Sequence, residues 1–312
     1  MMSENLAGRT IAGYRLLELV GEGGTATVYR AEHPERGSAA VKVLKRQLRT
    51  DPTAVKRFLR EAGYGTRVVH PHVVRTFDYG EEETFHYLAL EWAAGESLAE
   101  FASRCGTLAP VLVSRIMSQL AAALMVAHQA GIIHRDLKPE NIIYDAATQQ
   151  AKLLDFGIAR DAQADVTDRL TRAGFFVGTL QYVAPEALSG ALVNEAADTY
   201  SLATITYYLL TGKHPFRGRT TRELFQQLLK ADPVPMNVEG SASYPENLER
   251  VVMRALSREP GQRQKTVQEF ADQLAAAVAA GGAPPDSKPA QRSSFAGLKA
   301  FLGRISGTNR QE

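Results

Sequence analysis

Thiol chemistry is nearly absent from this chain of 312 residues, which holds one cysteine, Cys105. A lone cysteine excludes an intrachain disulfide and a cysteine-built zinc site, and it suits a reducing cytoplasm. A dominant charge is missing too. The 36 Lys and Arg against 34 Asp and Glu leave a net +2, without the basic excess of a dedicated nucleic-acid binder. Residues Met1 to Arg9 lack the apolar core of a signal peptide. No run of about 18 uninterrupted apolar residues occurs, so no transmembrane segment is expected. What remains is a chain that is 45% apolar, enough to exclude wholesale disorder. Its length fits about two domains, or one large two-lobed one.

The pattern divides the chain in two. Residues 1–12 are polar and read as a flexible tail. From Gly13 to about Val43 strand-like runs alternate with Gly and Pro turns. A helical stretch is expected from Thr53 to about Val69, then strands over Val73–Tyr79 and Phe85–Trp92. Past Gly95 long helical patterns take over, at Val111–Ala130, Ala196–Thr211, Arg222–Lys230, Leu248–Leu256 and Val267–Ala280. The fold class is therefore α+β: a small strand-rich part (13–92) before a larger, mainly helical one (93–280), the seam lying near Trp92–Glu96. Residues 281–312 turn to Gly, Pro, Ser and Lys and read as a linker with a short amphipathic end.

Gly21, Glu22, Gly23, Gly24, Thr25, Ala26, Thr27 and Val28 lie between two strand-like runs. Glycines let a backbone approach a ligand and aim N–H groups at phosphate oxygens. Alone, such a hairpin is as readily a structural turn. It lacks the Gly-Lys-Ser/Thr ending of a Walker loop, and strand rather than helix follows it. Further on, Ala40-Val41-Lys42-Val43-Leu44 sets a lysine inside an apolar strand. A buried lysine needs an anionic partner, whereas an edge lysine can reach solvent. Glu61, on the predicted helix, is the candidate partner, with a plain surface glutamate as the alternative.

The most specific segment is His134-Arg135-Asp136-Leu137-Lys138-Pro139-Glu140-Asn141, followed by Ile142, Ile143 and then Asp155-Phe156-Gly157. Gly178-Thr179, Tyr182 and Ala184-Pro185-Glu186 come next. With the glycine loop and the strand lysine in the same order, the chain resembles the protein kinase family over about residues 14–275. The loop ending and the hinge Glu91-Trp92-Ala93-Ala94-Gly95-Glu96 resemble bacterial, eukaryotic-type Ser/Thr kinases.

The resemblance implies a two-lobed kinase fold, an antiparallel-sheet N-lobe with one main helix and a larger helical C-lobe. It implies ATP with Mg²⁺ (Mn²⁺ as an alternative) and protein substrates bearing Ser or Thr. By it, residues 21–26 cover the ATP phosphates, and Ala26 stands where the family carries its third glycine. Lys42 contacts the α- and β-phosphates and pairs with Glu61. Asp136 orients the substrate hydroxyl and takes its proton, Lys138 neutralises the transferring group, and Asn141 and Asp155 offer the metal hard oxygens. Val20, Val28, Ala40 and Ile143 line the adenine slot, Leu90 is the gatekeeper, and the Glu91 carbonyl and Ala93 amide read the adenine edge. Trp92 is packing rather than recognition. His134 is structural, Asp198 braces the catalytic loop, and Glu186 pairs with Arg263. Two rivals lie nearby. A small-molecule phosphotransferase usually lacks the full Asp-Phe-Gly and Ala-Pro-Glu segments, and an inactive scaffold would have lost Lys42, Asp136 or Asp155.

Three expectations concern regulation. Arg135 before Asp136 implies autophosphorylation of the 155–186 loop, at Thr171 before Thr167. A homodimer would serve that reaction. Phe295, Leu298, Phe301, Leu302 and Ile305 share one face of a helical wheel, in a tail with five basic and two acidic residues. That segment (295–305) is read as docking on a partner or on its own kinase lobe, with an anionic membrane or a disordered end as alternatives. Finally, Gly63 and Gly65 weaken the helix carrying Glu61 by about 0.5–1 kcal/mol each. By the resemblance, Gly65 also stands where the family carries an apolar side chain stacked with the residues matching His134 and Phe156, which implies a hole that Phe77 or Val69 is positioned to fill; unfilled, it would leave Glu61 loosely held.

Overall fold

The alternation of the N-terminal strands builds a sheet with two different faces. In the computed structural model, which describes residues 4–154, 180–189, 191, 193–239 and 243–281, six strands run antiparallel in the order β1-β2-β3-β4-β6-β5. They are β1 (Thr10–Ile11), β2 (Tyr14–Glu22), β3 (Ala26–His33), β4 (Gly37–Leu44), β5 (Thr76–Glu82) and β6 (Phe85–Glu91). Along β4, Ala39, Val41 and Val43 enter one apolar cluster with Leu6, Ile11, Tyr14, Leu16 and Tyr29. The intervening Ala40 and Leu44 belong to a second cluster with Phe58 and Ala62 of α1 (Pro52–Gly65). A period of two therefore puts Lys42 on the α1 side.

Helix α1 starts at Asp51, whose side chain accepts from the Thr53 N–H, with Pro52 at the first helical position. It ends at Gly65, so Thr66 to Val69, expected to be helical, are not. Two glycines in its last three residues and Pro71 beyond make continuation costly. The strand expected from Val73 begins only at Thr76; Val73 makes a single parallel bridge to Leu153.

The C-lobe is built on two apolar helices, α3 (Pro110–Gln129) and α5 (Ala196–Thr211). Among the described residues α3 alone is long and apolar enough to cross a membrane by length and composition. Its buried positions pack in the C-lobe core. In α5 only Ala196 and Tyr208 are not fully buried. The Ser201, Thr204, Thr206 and Thr211 hydroxyls each donate to the carbonyl four residues back, so these four side chains cross the core with their hydroxyls satisfied. The remaining helices are α2 (Leu98–Cys105), α4 (Pro185–Leu188), α6 (Thr221–Lys230), α7 (Met236–Glu239), α8 (Glu246–Ala255) and α9 (Val267–Ala280). A small sheet, β7 (Glu96–Ser97), β8 (Ile142–Asp145) and β9 (Gln150–Leu153), supports the segment between the lobes.

One expectation about the ends is overturned. The stretch read as a flexible tail is packed from Glu4 onward. Leu6 and Ile11 are buried, and the Tyr29 hydroxyl donates to the Glu4 carbonyl and accepts from the Leu6 N–H. The Arg49 guanidinium pairs with the Glu4 carboxylate at 2.9 Å. Segment 295–305 lies outside the described residues.

Candidate active site

The glycine-rich segment is the β2–β3 turn. Gly21 pairs with Val28 and Glu22 with Thr27, and the Gly23 N–H donates to the Ala26 carbonyl at 2.8 Å. The Ala26 methyl packs with Leu44 and Phe58. An alanine at that position thus adds to the core instead of straining the turn. Lys42 Nζ lies 3.8 Å from Glu61 Oε1, with only 17% and 24% of the two side chains exposed. The strand alternation and the α1 face carrying Phe58, Glu61, Ala62 and Gly65 bring them together.

The catalytic-loop segment is held from beneath by α5. Asp198, fully buried in that helix's first turn, accepts from the His134 N–H at 2.9 Å and the Arg135 N–H at 3.0 Å. His128 Nε2 is 2.7 Å from the same carboxylate. The anion also sits at the positive end of a helix dipole. Arg135 has φ 62°, a left-handed conformation that costs a non-glycine residue about 1–3 kcal/mol. The two bonds to Asp198 hold it there. His134 is buried, and its Nδ1 accepts from the Asp136 N–H at 3.3 Å, which gives it a structural place.

Above this brace the reactive groups converge. Asn141 Nδ2 donates to Asp136 Oδ2 at 2.9 Å and to the Asp136 carbonyl at 2.8 Å. Lys138 Nζ is 3.4 Å from the same Oδ2. The Asp136 carboxylate is thereby fixed in direction with a cation alongside. Because Asn141 spends its amide donor there, its Oδ1 is left as a hard oxygen for a divalent cation. Asp155, the other expected ligand, lies outside the described residues, as do Thr167 and Thr171. Among the described residues no cluster of three or more His, Cys, Asp and Glu could hold a metal.

Val20, Val28, Leu90 and Ile143 are buried and apolar, and Ala40 is half-buried between β3 and β6. They offer a flat heterocycle walls without polar competition. At the hinge, the Glu91 N–H donates to the Arg75 carbonyl at 2.8 Å, and Glu91 Oε2 accepts from the Arg75 N–H at 3.2 Å. Ala93 packs against the α1-side cluster. The Arg30 guanidinium stacks 5.3 Å over Trp92, so that side chain is a packing element. Gly95 has φ 109°, and a Cβ there would strike the Tyr144 carbonyl, so the hinge must end in glycine.

Glu186 and Arg263 form a buried two-point pair at 2.7 and 2.8 Å. Within the catalytic-loop segment, burial raises the Glu140 carboxyl pKa, and its Oε2 makes no hydrogen bond among the described residues. The Glu140 charge in turn helps burial to raise Tyr182 well above its ordinary value. His214, stacked on Tyr208 at 4.8 Å, is pushed down to about 4 by burial.

The hole beside Gly65 is present but small. A cavity of about 20 Å³, lined in part by Glu61, Gly65, Thr76 and Leu154, adjoins it. Neither expected filler occupies the space: Val69 is 74% exposed and Phe77 packs on the other side of the sheet. Thr76 does, since a Cβ on Gly65 would lie 2.5 Å from its hydroxyl. Sequence reasoning also missed three charged contacts, Lys45 to Glu22, Lys152 to Glu91 and Arg49 to Glu4.

Comparison with known proteins agrees with this geometry. The family described as protein kinase domain matches residues 14–275. The Ser/Thr-protein kinase pkn3 of Myxococcus xanthus is 36% identical over 99% of this chain and 58% of its own. PknB of Mycobacterium tuberculosis is 35% identical over 94% of this chain and 47% of its own. The chain thus spans about half the length of these curated relatives. Among solved structures, the kinase domain of PknI from Mycobacterium tuberculosis superposes with a TM-score of 0.67 at 29% identity, covering 88% of this chain and all of that one.

Proposed function

Because the chain belongs to the protein kinase family, we propose that it is an ATP-dependent Ser/Thr protein kinase of bacterial signalling, working in the cytoplasm with Mg²⁺ in preference to Mn²⁺. The observation that carries this reading is the Asp136 carboxylate, oriented by Asn141 and flanked by Lys138. Bound ATP with its divalent cation would supply the phosphoryl group. Asp136 holds the attacking Ser or Thr hydroxyl and takes its proton as the oxygen–phosphorus bond forms and ADP departs. Lys138 offsets the charge on the transferring group, and Lys42, steadied by Glu61, holds the α- and β-phosphates. Autophosphorylation within 155–186 is part of the proposal. The Arg135 Nε is buried without a hydrogen bond among the described residues, which suits a cation awaiting an anionic loop.

Labelled phosphate from ATP should pass to Ser and Thr of a generic basic protein with Mg²⁺, and not to sugars or aminoglycosides. Asp136→Asn should abolish the transfer. A wild-type chain that binds ATP yet labels neither itself nor any protein would overturn the assignment.

A further inference from the structure

The tip of the phosphate loop has almost nothing to pack against. A Cβ on Gly24 would meet no atom within 4 Å, and one on Gly23 would meet only the Ala26 carbonyl, at 3.4 Å. Beyond the Gly23 N–H bond to the Ala26 carbonyl, the loop is held by one residue at the end of the neighbouring strand. Lys45 follows β4 directly. Its N–H donates to the Thr25 carbonyl at 2.9 Å, and its Nζ lies 2.8 Å from Glu22 Oε1. Glu22 ends β2 and Thr25 precedes β3, so the two contacts straddle Gly23 and Gly24. The Lys45 and Glu22 side chains are only 17% and 27% exposed, so water and salt screen the pair less than a surface one.

Lysines at both ends of a short segment thus serve different carboxylates. Lys42 points to Glu61 on α1, and Lys45 points to Glu22 on the loop. Unpaired, Glu22 would set a negative charge on the very loop assigned to ATP phosphates. A glycine-rich turn also loses more backbone freedom than any other when it closes over a ligand. A pair formed beforehand answers both problems.

We infer that Lys45 is a positioning residue for nucleotide binding, latching the phosphate loop through Glu22 rather than touching the phosphates. The inference rests on the nucleotide reading of this cleft. A latch has a property that a simple electric field lacks. If Lys45 acted only by its charge, Lys45→Gln would weaken nucleotide binding and Glu22→Gln would strengthen it. A latch is broken by either change, so both should weaken it.

The test measures Mg²⁺-ADP and adenosine affinity by calorimetry, and KM for ATP, in Lys45→Gln, Glu22→Gln, the double variant and the exchanged pair Glu22→Lys/Lys45→Glu. Each single variant should bind ADP three- to tenfold more weakly, with KM changing more than kcat. Adenosine, having no phosphates, should change less than twofold. The double variant should be no worse than the singles, and the exchanged pair should recover most of the loss. Opposite effects of the two single changes, losses that add in the double variant, or equal losses for adenosine and ADP would overturn the latch. A wild-type chain that binds neither ADP nor adenosine would overturn the cleft assignment itself, and the latch with it.

Discussion

The Lys152 ammonium on β9 is ion-paired with the Glu91 carboxylate at the end of β6. Glu91 is the residue whose carbonyl is assigned to the adenine edge, and its other carboxylate oxygen holds the Arg75 N–H. One side chain therefore fixes the hinge backbone from both lobes.

That pair is about a quarter exposed on each side, 27% and 29%, so its worth is up to about 1 kcal/mol. Lys152→Met should raise KM for ATP by up to about fivefold with little change in protein stability. An unchanged KM would mean that the hinge keeps its register without the side chain.

Asp198→Asn tests the brace beneath the catalytic loop. The amide nitrogen cannot accept, so one of the His134 or Arg135 N–H groups loses its partner, and the left-handed Arg135 loses support. Stability should fall by about 3 kcal/mol, and kcat by at least about tenfold. Chemical denaturation and initial rates measure the two. Full activity with lowered stability would show that the brace serves folding alone.

His214 should make stability depend on pH. Burial lowers its pKa from 6.5 to about 4, so the folded state disfavours its charged form. Between those values the unfolded chain takes up a proton that the folded chain refuses. Its contribution is complete above pH 6.5 and is lost as pH falls towards 4, by up to about 3 kcal/mol at 1.36 kcal/mol per unit. His214→Phe keeps a ring beside Tyr208 and removes the titration. The stability of the natural protein relative to this variant should decline steadily across that window in urea titrations; a pH-independent difference would contradict it.

The contact between Gly65 and Thr76 reverses a sequence-based expectation. Gly65→Leu promises a better helix and a filled hole, hence higher basal activity. With the Thr76 hydroxyl 2.5 Å from the new Cβ, the leucine instead overpacks, at a cost of about 1–3 kcal/mol. Melting temperature should drop in Gly65→Leu and return in Gly65→Leu/Thr76→Ala, where the side chain can enter the adjoining cavity. A single variant as stable as the parent would show that Thr76 rotates away freely.

The convergence of Asp136, Lys138 and Asn141 was legible because the family resemblance rests on fixed residue types at fixed spacing. The Lys42–Glu61 approach was readable because β4 alternates and α1 has one apolar face. Contacts such as Lys45 to Glu22 were not, because their partners are chosen by strand register, which a string of charged residues does not display. The N-terminal segment looked loose because Leu6 and Ile11 are two isolated anchors with no period between them. Helix α2 was overlooked although Ser97 and Glu100 spell its capping box in the sequence. Gly65 misled for another reason: filling a void is a property of neighbours, and Thr76 is distant from it in the chain.

One modest feature governs how the two lobes can move. The Val74 N–H donates to the Leu153 carbonyl, the Leu153 N–H donates to the His72 carbonyl, and Val73 bridges Leu153. This is a second attachment between the lobes, separate from the chain passing through Glu91 to Gly95. A body fastened at the hinge and again here turns most freely about the line joining the two places. Opening of the nucleotide cleft by a swing about that line leaves these bonds in place, whereas sideways shear of Lys42 across Asp136 would have to break the backbone bonds at Leu153.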